Sequence, residues 1–259
     1  MAASPSPSVE THVAAAEEVC AGDGVEPHDV LDGLFRLVDR SLVVAAGGVP
    51  ARFAMLETVR EYAREKLREG QDESETRRRH AEHYLALAER AEPELVGPDQ
   101  GLWLGRLRTE FANLREAHSW SLEPGQEEDR VRLRLRLPAA LWRFWGGRRF
   151  EEGRRWLQTA LEKDTGGFPA VRAQALDGLG FILTFQHEFG RAIEALEESI
   201  ALYEELGDQS GAALALANLG YAVLHGGYHE RVPAFLEAAE AFLREDLNGH
   251  ARAYLRIIT

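Results

Sequence analysis

Residues 176–199, LDGLGFILTFQHEFGRAIEALEES, decide the fold. They read as two antiparallel helices, with small residues at Gly180, Ala192 and Ser199 where the pair must approach closely. The pattern recurs. Phe150, Phe189 and Tyr228 are spaced 39 residues apart, as are Leu157, Leu196 and Phe235, and again Ala160, Ser199 and Ala238. Three columns sharing one period indicate a helical-hairpin repeat. A single hairpin cannot bury its apolar faces alone, so neighbouring hairpins must stack. The expected units are residues 129–167, 168–208 and 211–248, with Gly207-Asp208 closing the second and Ala251–Thr259 opening a further helix. Gly153, Gly180 and Gly220 also fall where helices meet. Val131–Leu137 conflicts locally, because strict alternation of arginine and aliphatic residues has the period of a strand. The repeat register sets Leu137 opposite Leu176, so this stretch is read as helix, kinked near Pro138.

Upstream of the repeats, Val9–Ala21 reads as a short helix stopped by Gly22-Asp23-Gly24. Pro27-His28-Asp29 opens a second helix, with Val30, Leu31, Leu34, Phe35, Leu37 and Val38 in a helical stripe. Ser41–Ala45 and Arg52–Met55 are extended in character and flank Gly47-Gly48 and Pro50, a hairpin signal. A third helix carries Leu56, Val59, Tyr62, Ala63 and Leu67 on one face. Two further helices are expected over Glu75–Ala91 and Asp99–Leu122. The predicted fold is mainly α. A loose tail (1–8) leads into a small winged-helix module (9–70), a helical linker hairpin (75–128) and an α-solenoid (129–259).

Composition narrows the function. The 259 residues carry 30 basic and 43 acidic side chains, a net charge of −13. Such a chain repels phosphate at long range and is a poor generic nucleic-acid binder. The 45% apolar content suffices for a core. No apolar run approaches the ~20 residues that span a bilayer, and Met1–Ser8 lacks the features of a secretory signal. The lone Cys20 precludes an intrachain disulfide and a cysteine zinc site. A cytoplasmic location is therefore expected.

Leu176, Leu179-Gly180, Ala192, Leu196 and Ser199 resemble the tetratricopeptide signature, at the longer spacing of bacterial regulators. Leu216, Leu219-Gly220, Phe235 and Ala238 repeat it, and Leu137, Phe150, Gly153, Leu157 and Ala160 form a degenerate copy. Arg231 stands where a small residue is expected, which implies looser packing in the third unit. The run Asp29–Val43, followed by Arg52-Phe53-Ala54-Met55-Leu56-Glu57-Thr58-Val59-Arg60-Glu61-Tyr62-Ala63, is similar to the winged helix of bacterial regulatory ATPases. These are STAND or NB-ARC-like NTPases that accompany LuxR-type or antibiotic-regulator transcription factors. The resemblance covers about residues 10–250. It implies a sensor half in which the repeats receive a protein or peptide and the winged helix relays the signal to a nucleotide-binding domain. A free-standing repeat adaptor is one alternative, and a DNA-binding winged-helix regulator is another.

The chain departs from that family in two ways. Lys66 precedes Leu67 and Lys163 precedes Asp164, so neither lysine sits in a P-loop. Where many relatives carry Met-His-Asp, with the histidine on nucleotide, this chain has Met55-Leu56-Glu57, and leucine cannot hydrogen-bond a phosphate. Both ends of the chain read as cut.

No Gly-x-Ser-x-Gly elbow occurs, so no catalysis by this chain is expected, and no cofactor or metal is implied. His80 and His83 have helical ligand spacing but no third ligand, and a solvated helix face is expected. His225 and His229 bracket a plain Gly226-Gly227 turn, and Cys20 is expected to pack as a small hydrophobe. Arg148, Arg149, Arg154 and Arg155 are expected to pair with acids such as Glu151 and Glu152. Residues 1–70 hold 12 acids and 7 bases, so DNA reading through Arg36 and Arg40 is disfavoured. If the first helix of each hairpin lines a concave surface, as in tetratricopeptide arrays, a peptide groove is expected at Trp142, Trp145, Gln174, Asp177, Phe181, Phe185, Asn218 and Tyr221. Aromatic residues there would anchor a peptide, or they would simply be core between repeats.

Overall fold

The Pro27 ring fixes φ for the first helical turn, and Glu26 and Asp29 cap each other's backbone N–H groups, so α2 (Pro27–Asp39) starts where the sequence places it. In the computed structural model it follows α1 (Val9–Cys20) and precedes a two-stranded wing and α3 (Glu57–Glu69). The structure describes residues 9–258 apart from 23, 47–51, 71–72, 125–127, 147–148, 245–246 and 248. The expected tail (1–8) and the turn at Gly47-Gly48 and Pro50 lie outside the described residues.

In the wing, β1 (Val44–Ala46) pairs antiparallel with β2 (Arg52–Ala54), with Ala45 opposite Phe53. Ser41 holds φ at 58°, a left-handed conformation that turns the chain out of α2 towards β1. Val43 is buried there, whereas the apolar stripe of α2 is only half-buried and Phe35 is exposed.

The chain forms two compact units, residues 1–84 and 85–259, and the division falls within α4 (Glu73–Glu94). The first half of α4 belongs with α1. Arg79 Nε donates to the Val19 carbonyl at 3.0 Å, and His83 Nδ1 lies 2.9 Å from Glu18 Oε2.

The second unit is an all-helical solenoid. It contains α5 (Gln100–Thr109), α6 (Phe111–Leu122), α7 (Glu128–Ala140), α8 (Phe150–Glu162), α9 (Pro169–Phe185), α10 (Phe189–Glu205), α11 (Gln209–His225), α12 (Val232–Arg244) and α13 (Gly249–Ile258). The helices α7, α9, α11 and α13 form one layer, each packed on the next, while α8, α10 and α12 pack behind them. Glycine makes the close approaches possible. A methyl group at Gly180 would sit 2.4 Å from Leu196 Cγ, and one at Gly220 would sit 2.3 Å from the Phe235 ring. Both contacts join the first helix of a hairpin to the second. Ser199 Oγ adds a hydrogen bond to the Ala173 carbonyl at 2.8 Å, which ties α10 to α9.

The structure divides one expected helix and bears out another. The helix expected over Asp99–Leu122 is two helices meeting at Glu110, whose buried carboxylate accepts from Asn113 Nδ2 at 2.7 Å. Val131–Leu137 is helical despite its strand-like alternation. Because α7 is surrounded by α6, α8 and α9, Leu133, Leu135 and Leu137 can all be buried. The intervening arginines reach polar partners: Arg134 Nε donates to the Ser121 carbonyl, and Arg136 makes a bidentate pair with Glu89 at 2.8 Å. Pro138 lies inside α7, which ends at Ala140, and a 3-10 turn covers Trp142–Trp145. Trp142 and Trp145 are therefore not on the first helix of a hairpin. A 3-10 turn, His229–Arg231, precedes α12. Arg231 does not fit the small-residue column and turns outward to pair with Glu197.

All five tryptophans lie in the second unit, so their fluorescence reports its unfolding alone. Gly180→Ala is expected to lower its stability by about 1–3 kcal/mol through overpacking against Leu196. Gly105→Ala, on a helical position with nothing within 4 Å, is expected to raise stability by about 0.5–1 kcal/mol. Urea midpoints read from tryptophan emission test both; equal effects at the two sites would show that the Gly180 contact is not tight.

Candidate functional site

Glycine also shapes the face formed by α7, α9 and α11. A methyl group at Gly178 would meet Trp142 Cβ at 2.5 Å, so the absence of a side chain there lets Trp142 lie against α9. From Trp142 a chain of ring contacts crosses the face. Trp142 meets Phe181 edge-on at 5.5 Å between centroids, Phe181 meets Phe185 at 4.7 Å, and Phe185 stacks on Tyr221 at 5.7 Å. Phe150 stacks on the other side of Phe185 at 5.6 Å, and His225 packs on Tyr221 at 4.0 Å. Phe185 is 44% exposed, the largest open aromatic surface in this row.

Beside the rings runs a buried polar line. Tyr254 Oη donates to Asn218 Oδ1 at 3.1 Å, and Asn218 Nδ2 donates to Asp177 Oδ1 at 2.7 Å. The line joins α13, α11 and α9, and it fixes which way the Asn218 amide points. Asp177 is 3% exposed, and burial pushes its carboxyl up to about 6, against the lowering effects of the Asn218 hydrogen bond and the Arg143 charge. Asp177 opens onto a cleft of about 170 Å³ whose wall includes Glu92, Trp142, Arg143, Tyr203 and Asp208. Arg143 pairs with Glu92 and lies 4.1 Å over the Trp142 ring. Gln174 lines this cleft and also a second one of about 180 Å³ that holds the Glu89–Arg136 pair.

Six of the eight residues expected in a groove lie on this face with their atoms joined or adjacent: Gln174, Asp177, Phe181, Phe185, Asn218 and Tyr221. Trp142 joins them from the 3-10 turn. Trp145 does not. It is wholly buried against Phe111, Phe144 and Trp156, and a methyl group at Gly153 would lie 2.3 Å from its ring, so it offers nothing to a peptide. The polar atoms of Asn218 find their partners inside the protein. Sequence reasoning missed Glu92, Arg143, Tyr203 and Tyr254. The first two lie outside any repeat column, and the tyrosines carry no motif.

The remaining candidates resolve simply. His83 is buried against Glu18 and edge-on to Tyr84, which corrects the expected solvated face. Among the described residues no cluster of three metal-ligating side chains occurs. Cys20 is exposed at the end of α1, not packed as a small hydrophobe. Arg154 pairs with Glu188, and Arg149 sits 3.6 Å from Glu152 and 4.0 Å over the Phe111 ring; Arg148 lies outside the described residues. His118 is buried and stacked 3.9 Å from Trp156, and burial lowers its pKa to about 4, so it is a neutral core residue near neutral pH. No described helix is long and apolar enough to cross a membrane.

The chain is similar to mycobacterial proteins that carry the provisional name HTH-type transcriptional regulator. One from Mycobacterium bovis and one from Mycobacterium tuberculosis strain H37Rv are each 34% identical to it over 240 residues. The match takes in 88% of this chain and 26% of each relative, so the chain spans about a quarter of the length of these curated proteins. No protein-family model and no solved structure matches it.

Asp177 has a raised pKa, so its contribution to stability is complete below about 4 and is lost as pH rises through about 6. Asp177→Asn lacks that loss. The variant is expected to match the wild type near pH 4 and to exceed it by on the order of 1–3 kcal/mol at pH 8. Urea unfolding at both pH values, followed by tryptophan emission, measures this; a difference independent of pH would contradict a buried, ionising Asp177.

Proposed function

We propose that residues 1–259 are the non-enzymatic, protein-binding part of a bacterial signal-transduction regulator of transcription. In this reading the solenoid receives a protein or peptide on the face of α7, α9 and α11. The unit at residues 1–84 relays that event to a nucleotide-binding domain elsewhere in a longer protein or on a partner.

One observation carries the reading: the row Trp142–Phe181–Phe185–Tyr221, which places linked aromatic surface along successive helices of a repeat array. Such rings bury large area at low rotamer cost, as peptide anchors do. Similarity to much longer proteins named as transcriptional regulators supports the regulatory context. The first unit also leaves Phe35, Val44, Leu56 and Tyr62 exposed, which is apolar area suited to contact with another domain. Nucleotide chemistry is assigned away from this chain because neither lysine has a P-loop around it. A regulator of this kind works in the cytoplasm.

The name of the relatives favours a second reading, in which the first unit itself binds DNA. Its net acidic sequence and the intrahelical bond from Arg36 Nε to the Asp32 carbonyl weigh against it.

The two readings separate experimentally. Peptides selected from a random library on residues 1–259 are expected to lose about tenfold or more in affinity with Phe185→Ala or Tyr221→Ala. A labelled DNA duplex at about 50 mM salt is expected to show no shift. Salt-dependent duplex binding that is abolished by Arg36→Ala with Arg40→Ala would replace the first reading with the second.

A further inference from the structure

We propose that the cleft between α9, α11 and the Trp142–Trp145 turn is a recognition pocket for a cationic group, a guanidinium or an ammonium, held by Asp177 and the hydroxyl of Tyr203. The argument rests on the peptide reading above only for the source of the cation, an arginine or lysine side chain of the bound segment. The cleft's chemistry stands by itself.

Three carboxylates face the cleft, those of Glu92, Asp177 and Asp208, against the single cation of Arg143. Two of them have work elsewhere. Glu92 is paired with Arg143, and Asp208 Oδ1 caps α11 by accepting from Gly211 N at 2.9 Å. Asp177 is different. Its Oδ1 accepts from Asn218, but Oδ2 has no hydrogen-bond partner among the described residues, although the side chain is nearly removed from water. A carboxylate so enclosed, with one neutral amide as its donor, has its second oxygen left for whatever enters the cleft.

Tyr203 adds an independent indication. It is 8% exposed and lines the same cleft, yet its hydroxyl makes no hydrogen bond among the described residues. Asp177 and Asp208 line that cleft with it. A carboxylate oxygen that lacks a donor and a phenol without a partner, lining one space of about 170 Å³, suit a planar polar cation with several N–H groups. Its N–H donors would satisfy Asp177 Oδ2 and the Tyr203 oxygen together. Trp142, already faced by Arg143, supplies an aromatic wall. An anion would meet the uncompensated carboxylates, and a neutral apolar group would leave Asp177 and Tyr203 still without partners.

Trp142 lines the cleft, so tryptophan emission of residues 1–259 reports occupancy. The probes are N-acetyl-arginine amide, its neutral citrulline analogue, and a labelled heptapeptide with one central arginine beside its citrulline twin. The arginine forms are expected to bind about tenfold or more tightly than the citrulline forms. Asp177→Asn is expected to abolish that preference without unfolding the protein, and Tyr203→Phe is expected to weaken it severalfold. If the amide binds and the peptide does not, the cation site stands with a small molecule as its source, and the peptide reading fails. If both twins bind equally and remain sensitive to Phe185→Ala, the peptide reading stands and the cation site is overturned. An arginine preference unchanged in Asp177→Asn also overturns it, as does no binding of any probe.

Discussion

Steric contact between a glycine on one helix and a large side chain on the next governs the second unit. Gly180 against Leu196 and Gly220 against Phe235 leave no room for a single methyl group. Interiors are packed too densely to absorb one cheaply. These contacts set how near the two helices of a hairpin lie, and therefore how near each hairpin brings its first helix to that of the next. The face formed by α7, α9, α11 and α13 follows from that spacing.

The polar line across this face depends on the same closeness. A side-chain hydrogen bond from Asn218 to Asp177, and another from Tyr254 to Asn218, require three successive helices at short separation. Once the amide of Asn218 is committed in both directions, the rest of Asp177 is left facing the cleft. Ion pairs reinforce the stack from outside. Arg115 chelates Glu152 at 2.6 and 2.9 Å, and Arg172 bridges Asp164 and Glu198 at 3.1 and 2.6 Å. Arginine dominates these links, and its fork geometry suits them better than a lysine point charge.

The solenoid was legible because its constraint is written in residue size. Gly180, Ala192, Ser199 and their counterparts repeat where large residues would clash, and periodicity reveals such columns directly. The wing and its flanking helices were legible from turn chemistry, with Pro27 at the start of α2 and the extended runs beyond Ser41. What was not legible had other causes. The alternation in Val131–Leu137 describes which residues meet apolar neighbours, and in a helix surrounded on several sides that pattern loses its period. At the break, Glu110 accepts a hydrogen bond from Asn113 three residues on, a local contact that the apolar period running through both helices does not reveal. Within the candidate site, the residues on repeat columns were identified from the sequence. Glu92 and Arg143 were not, because Glu92 enters from before the repeats and Arg143 from the 3-10 turn inside the first of them. Trp145 was misplaced for a related reason: nothing local distinguishes a tryptophan that ends in the core from its neighbour at Trp142, which borders the face.

The order of the polar groups along the chain has a consequence for biosynthesis. Glu92 leaves the ribosome first, then Arg143, Asp177, Tyr203 and Asn218, and Tyr254 last. At about 5–20 residues per second, the span of about 160 residues takes roughly 10–30 s to translate. Within that interval Asp177 waits for Asn218 for about 2–8 s, and Asn218 then waits about 2–7 s for the phenol that completes its amide. The nascent solenoid therefore exposes an unfinished polar seam at its growing end, and each new helix closes the seam left by the one before.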